Sequence, residues 1–121
     1  MNYHPINLQE KLCKFSEHWS PKIIARMNDY QIKLAKVEGE FDWHTHPETD
    51  ELFLVVKGKL NIHFHDGVIA LNEGDLYVVP KGIEHKPVAD EECHIMLIEP
   101  VGTVNTGNVV SDKTAPNDIW I

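Results

Sequence analysis

The sequence predicts a single all-β domain, a sandwich or barrel built from hairpins, with one short helix in front of it. Two observations carry this expectation. From about Lys22 to Pro100, short β-branched or alternating apolar runs are cut by Gly, Pro, Asn and Asp at short intervals, the pattern of strands joined by tight turns. Helical spacing of apolar residues occurs before that region, at Ile6, Leu8, Leu12, Phe15 and Trp19, where separations near three and four give one apolar stripe. At 121 residues and 42% hydrophobic content, the chain is long enough to bury one core without disulfides or a structural metal.

Taken in order, the helix is expected over residues 6–19, stopped by Ser20-Pro21. Strands are expected at 22–27, 30–37, 52–56, 59–65, 76–79 and 93–99. Turns fall at Glu38-Gly39, Lys57-Gly58, Asp66-Gly67, Asn72-Glu73-Gly74 and Lys81-Gly82, where Gly permits backbone that other residues avoid. This division gives a helix to residue 19, a barrel from 22 to 100 and a loop-like tail from 101 to 121. The tail ends in Ile119-Trp120-Ile121, an apolar cluster expected to pack on the domain or on a partner subunit.

Nineteen acidic against eleven basic residues leave a formal charge of -8, a field that repels phosphate backbones and argues against nucleic acid as a partner. The start, MNYHPINLQEKL, lacks a basic segment followed by an apolar one, and no apolar run reaches the roughly 18 residues of a membrane helix. A cytoplasmic chain without membrane contact is the expectation. Cys13 and Cys93 lack CxxC spacing and read as reduced, packed thiols.

The chemistry concentrates in WHTHPETDE, residues 43–51. Residues two apart on a strand share a face, so His44 and His46 aim both imidazoles at one point. Glu51 can return to that point from the next strand after the Pro-Glu-Thr-Asp turn, leaving Glu48 and Asp50 in solvent. Trp43, next to His44, points the other way. Downstream, GDLYVVPKGIEH (residues 74–85) reads as turn, strand, turn and then a histidine.

Together these segments resemble the two signature motifs of the cupin superfamily, G-x5-HxH-x3,4-E-x6-G and G-x5-PxG-x2-H-x3-N. His44, His46, Glu51 and Gly58 keep the spacing of the first, with Gly39 one position late. Gly74, Pro80, Gly82 and His85 keep the second, and Ala89 stands where its final Asn belongs. Neither departure touches a ligand position. The resemblance implies a jelly-roll β-barrel of six to eight strands. It also implies one divalent transition metal (Fe, Mn, Ni, Co or Zn) held by His44, His46, Glu51 and His85, a donor set with coordination positions left for a small-molecule substrate.

Superfamily members include dioxygenases, sugar-phosphate isomerases, decarboxylases and lyases, and others only bind ligands. An oxygen-dependent, dioxygenase-type enzyme is the leading expectation, with a Lewis-acid isomerase or lyase and a non-catalytic binding or sensory module as alternatives. A phosphate-binding site needs cations, and near the motifs the chain offers only Lys57, Lys59, Lys81 and Lys86. Tyr77 is the candidate pocket-lining residue with a usable hydroxyl. His63 and His65 form a second HxH without a carboxylate at matching spacing and are expected at the polar face, while His94 is expected to be a hydrogen-bonded strand histidine. GTVNTGN imitates the outer spacing of a phosphate loop but has Asn108 where lysine belongs, and reads as a turn-rich loop. The apolar termini and outer sheet, with the habit of cupins to dimerise, lead to the expectation of a homodimer.

Overall fold

A computed structural model describes residues 2–121. One helical segment, α1 (Leu8–Leu12), precedes seven strands: β1 (Lys22–Met27), β2 (Tyr30–Glu40), β3 (Glu51–Lys57), β4 (Leu60–Phe64), β5 (Gly67–Leu71), β6 (Leu76–Val79) and β7 (Lys86–Pro100). Every strand pair is antiparallel, in the order β1-β2-β7-β3-β6, with β4 bridging β5 and β7. The architecture is the expected cupin β-barrel.

Strand β7 joins the two walls of the barrel. Its first part pairs with β4 through Lys86, Pro87 and Val88, and its second part pairs with β3 through His94 to Ile98, while β2 runs along its other side. One long bent strand therefore belongs to both walls. Alternation sends Ala35, Val37, Phe53, Val55, Ile62, Ile95 and Leu97 into the interior. A second cluster, Leu12, Phe15, Ile24 and Leu34, lies on the outer face, where the N-terminal segment covers β1 and β2.

The helix is shorter than the 6–19 expected. Asn7 caps it by accepting the Glu10 N–H at 2.9 Å, and the chain turns at Cys13. Phe15 and Trp19 pack in different places, Phe15 in the outer cluster and Trp19 against the barrel core. Trp19 also sits at φ 58°, outside helical space. A single helical stripe cannot serve two opposite faces, so tertiary packing overrides the spacing.

Three strand expectations also change. Glu38-Gly39 is no turn: β2 continues through it with a register shift between Val37 and Gly39, and Gly39 takes φ 82°. β7 starts at Lys86 instead of residue 93, because Pro87 can sit in a ladder position that needs no donor. Its carbonyl accepts the Phe41 N–H at 2.9 Å. β5 has little inward apolar signal beyond Leu71, since Val68 is exposed and Ile69 half-buried.

Ile119 to Ile121 lie along the edge of β1. Ile23 donates to the Ile119 carbonyl at 2.7 Å and accepts from the Ile121 N–H at 3.1 Å. Lys11 Nζ donates to the Ile121 carbonyl at 2.7 Å. Both cysteines are free, Cys13 exposed and Cys93 buried, and burial pushes the Cys93 thiol up to about 11. Among the described residues no helix is long and apolar enough to cross a membrane.

Candidate metal centre

His44 follows β2 on a segment whose side chains alternate, so His44 and His46 turn inward while Trp43 turns out. The segment is tied on both sides. His44 and His85 exchange backbone hydrogen bonds of 3.0 and 2.9 Å, and the His46 carbonyl accepts from Gly82 at 3.0 Å. Gly82 at φ 78° makes the tight turn that returns His85 to its place. Glu51 opens β3, paired with Val79.

These elements bring His44, His46, Glu51 and His85 together. One ligand atom from each lies within 4.8 Å of all the others, and the four residues are between 1% and 6% exposed. The Nε2 atoms of His46 and His85 approach the Glu51 carboxylate at 3.2 and 3.5 Å. Their alignment is poor, so Nε2 of both imidazoles and Oε1 of Glu51 have no hydrogen-bond partner. Buried polar atoms left without partners are costly, and a cation among them would satisfy all at once.

The imidazoles are oriented for that task. Nδ1 of His44 faces the Asp42 carbonyl and Nδ1 of His85 the Ile83 carbonyl, both at 2.9 Å. A carbonyl only accepts, so each Nδ1 carries a proton and each Nε2 is the ring atom left facing the cluster, where a metal would bind. Three neutral imidazoles and one carboxylate fit a divalent first-row transition metal.

Electrostatics favour the binding forms of His44 and Glu51. Burial, with the neighbouring His85, lowers His44 to about 4. Burial pushes the Glu51 carboxyl up, but the imidazoles of His46 and His85 and the carboxyl of Glu99 outweigh it and hold Glu51 well below the usual range. Burial and the Glu51 charge push Glu99 well above it. Two adjoining buried carboxyls oppose each other's ionisation, which favours the charge on Glu51 and, against the pull of Lys33, the proton on Glu99.

A pH dependence follows for the metal-free protein. A depressed histidine contributes stability that is present above its unfolded value of 6.5 and is lost as pH falls toward about 4. The loss from His44 amounts to roughly 3 kcal/mol. Glu99 acts in the opposite sense, its contribution fading as pH rises through its raised pKa. Urea midpoints between pH 7 and 4 should fall in the wild type and flatten in His44→Gln; equal slopes in the two proteins would contradict the assignment.

Sequence reasoning missed two sets of supporting residues. Lys33 and Glu99 are 2% and 1% exposed, and Lys33 Nζ donates to Glu99 Oε1 at 2.9 Å. The other set is the GTVNTGN loop, which grips the ligand segment. Asn108 accepts the Thr45 N–H at 3.0 Å and donates its own N–H to the Thr45 carbonyl at 3.1 Å, while Ser111 donates to the Asp42 carboxylate.

The other candidates lie elsewhere. Tyr77 is half-buried against the barrel core, its ring 6.1 Å from that of Phe64. His65 stacks on Trp43 at 4.4 Å and pairs with Glu84 on the outside. His94 and His18 both reach Glu92, at 2.9 and 2.8 Å. His63 on β4 is half-buried and outside the cluster.

Comparison with known proteins agrees with the fold and the motifs. The model of the Cupin domain family matches residues 31–99. A cupin-2 domain containing protein from Shewanella frigidimarina NCIMB 400 is 60% identical, with a TM-score of 0.78 over 78% of this chain and 93% of that one. Protein NMB1881 from Neisseria meningitidis is 37% identical, with a TM-score of 0.74 over 80% of this chain and 99% of that one. The uncharacterized Bacillus subtilis protein YdbB is 41% identical over 80 residues, 65% of each sequence, so the chain spans about two-thirds of that curated relative. The chain belongs to the cupin domain family.

Proposed function

We propose that His44, His46, Glu51 and His85 hold one divalent transition metal and that the protein is a metal-dependent enzyme acting with dioxygen on a small organic molecule. The observation that carries this reading is the convergence of four buried ligand atoms within 4.8 Å, three of them without any other partner. A redox-active metal in this donor set supplies open coordination positions where dioxygen and a substrate oxygen can be brought together. The chain's own residues do the rest. The Asp42 and Ile83 carbonyls fix the imidazoles of His44 and His85, and apolar side chains such as Val37, Phe53 and Leu97 line most of the space beside the centre.

The sugar-phosphate reading loses support. No lysine or arginine lines the chamber beside the centre. Lys81 and Lys57 are exposed, and Lys86 is engaged with Glu40 at 2.6 Å. Metal analysis of protein purified without chelator, followed by oxygen-uptake screening, tests the proposal. Iron or manganese with substrate-dependent uptake supports it. Zinc or nickel with no uptake rejects the oxygen-dependent reading in favour of Lewis-acid chemistry or simple binding.

The chain is also proposed to pair as an isologous homodimer. Its own C-terminal residues already cover the β1 edge, which leaves β5 and β6 as unpaired edges; β6, with Leu76 57% and Val78 42% exposed, offers the larger apolar surface for a second copy to cover. Light scattering should give twice the 13.9 kDa chain mass, reduced to the monomer by Leu76→Asp with Val78→Lys. A monomeric wild type would refute the dimer and leave the metal centre untouched.

A further inference from the structure

Next to His44 and Glu51 lies a chamber of about 30 Å³ whose walls include Ala35, Val37, Phe41, Phe53, Ile95 and Leu97. Its only ionisable lining groups are the two ligands themselves. The one other polar lining residue, Asn105, has its amide committed: Nδ2 donates to the carbonyls of Trp19 and Lys113 at 3.0 and 2.9 Å, and Oδ1 accepts the Ala115 N–H at 2.9 Å. With Trp19 in place, an occupant finds no free side-chain hydrogen-bond partner except at the end where His44 and Glu51 stand. Polyols and phosphates would leave buried polar groups unpaired there. The occupant's body must be apolar, with its oxygen function at the ligand end.

The shape of the space is set by rings. The Trp19 indole lies over Phe41 at 4.6 Å and 23°, and His44 meets the same ring edge-on at 5.3 Å and 86°. The free volume holds a water or two, so a ring enters only by taking the place of one already present. Trp19 is the least enclosed ring of the wall. Most of the chamber lining is buried, whereas Trp19 and Asn105 are half-buried. Trp19 belongs to no helix or strand and sits at φ 58°, which a bulky residue rarely adopts. It is held by contacts that can be exchanged singly: its N–H to the Lys36 carbonyl at 2.9 Å, its indole N–H to the Glu38 carbonyl at 3.0 Å, and the Asn105 amide.

We infer that the chamber takes a compact, uncharged aromatic molecule whose hydroxyl-bearing edge faces His44 and Glu51, and that Trp19 is its gate, the ligand ring replacing the indole on Phe41. This rests on the metal-centre reading, because the hydroxyl edge needs an acceptor of its oxygen at that end. The test uses full-length protein loaded with cobalt(II), whose visible spectrum reports changes in coordination, titrated with catechol and separately with glucose 6-phosphate. Catechol should shift the spectrum saturably and the sugar phosphate should not. Ala35→Leu, which fills the floor, should weaken catechol by about tenfold or more at unchanged cobalt content. Trp19→Ala, in a segment outside the sheet, should speed catechol association and keeps the test alive if Ala35→Leu misfolds. A response to glucose 6-phosphate equal to that for catechol, or catechol binding unchanged in both variants, overturns the inference alone. Protein that takes up no cobalt overturns it together with the metal centre.

Discussion

Alanine at His46 or at His85 is expected to lower affinity for a divalent transition metal by more than about a hundredfold, beyond the 10–100-fold typical of a residue that merely supports a ligand. Each change deletes a buried Nε2 that has no other partner. The metal-free barrel should still fold, because the apolar core of Val55, Leu60, Ile62 and Ile95 is complete without these side chains. Removing an unsatisfied polar atom also offsets part of the cavity that the substitution leaves. Metal content after dialysis, measured beside circular dichroism, separates the two effects. Retained one-to-one metal in either variant would show that the four residues are not its ligands.

Gly107→Ala should act on the same centre from the tail. A Cβ there would lie 2.3 Å from the Thr45 carbonyl oxygen and 3.2 Å from Cδ2 of His44, at a backbone φ of 57°. The obstacle is backbone between two ligands, so neither side can yield without moving an imidazole. Metal affinity should fall by roughly tenfold or more, and the metal-free protein should lose about 1–2 kcal/mol through the strained φ and the clash. Asn108→Ala removes the side-chain half of the grip on Thr45, keeping the backbone bond from residue 108 to the Thr45 carbonyl, and should show an affinity loss with a smaller stability loss. Isothermal titration with zinc, read against thermal melts, distinguishes them. Wild-type affinity in both variants would reduce the tail to a covering loop.

The fold was legible where patterning and turn chemistry agreed. Alternation and the Pro80-Lys81-Gly82 turn outlined β3, β6 and the return to His85, and the resemblance to the cupin motifs joined Glu51 and His85 to His44 and His46. Legibility ended where one element serves two environments. In β2, Leu34 is fully buried under the N-terminal segment while Lys33, on the opposite face, is buried inside the barrel with Glu99. Apolar residues therefore occupy both parities of β2, Ile32 and Leu34 outward and Ala35 and Val37 inward, and the inward lysine looks like a solvent residue. The helix overran for a related reason, since Phe15 and Trp19 belong to different faces. The tail loop was opaque because its grip depends on hydrogen bonds across more than 60 positions, Thr45 with the side chain and backbone of Asn108, and local sequence carries no trace of the partner.

The most direct test of the metal centre is anomalous diffraction from crystals of protein purified without chelator. A single anomalous peak is expected among the four side chains, about 2.0–2.2 Å from Nε2 of His44, His46 and His85 and from a Glu51 oxygen. A peak centred elsewhere, such as among His18, Glu92 and His94, or metal-loaded crystals with no peak at this cluster, would contradict it.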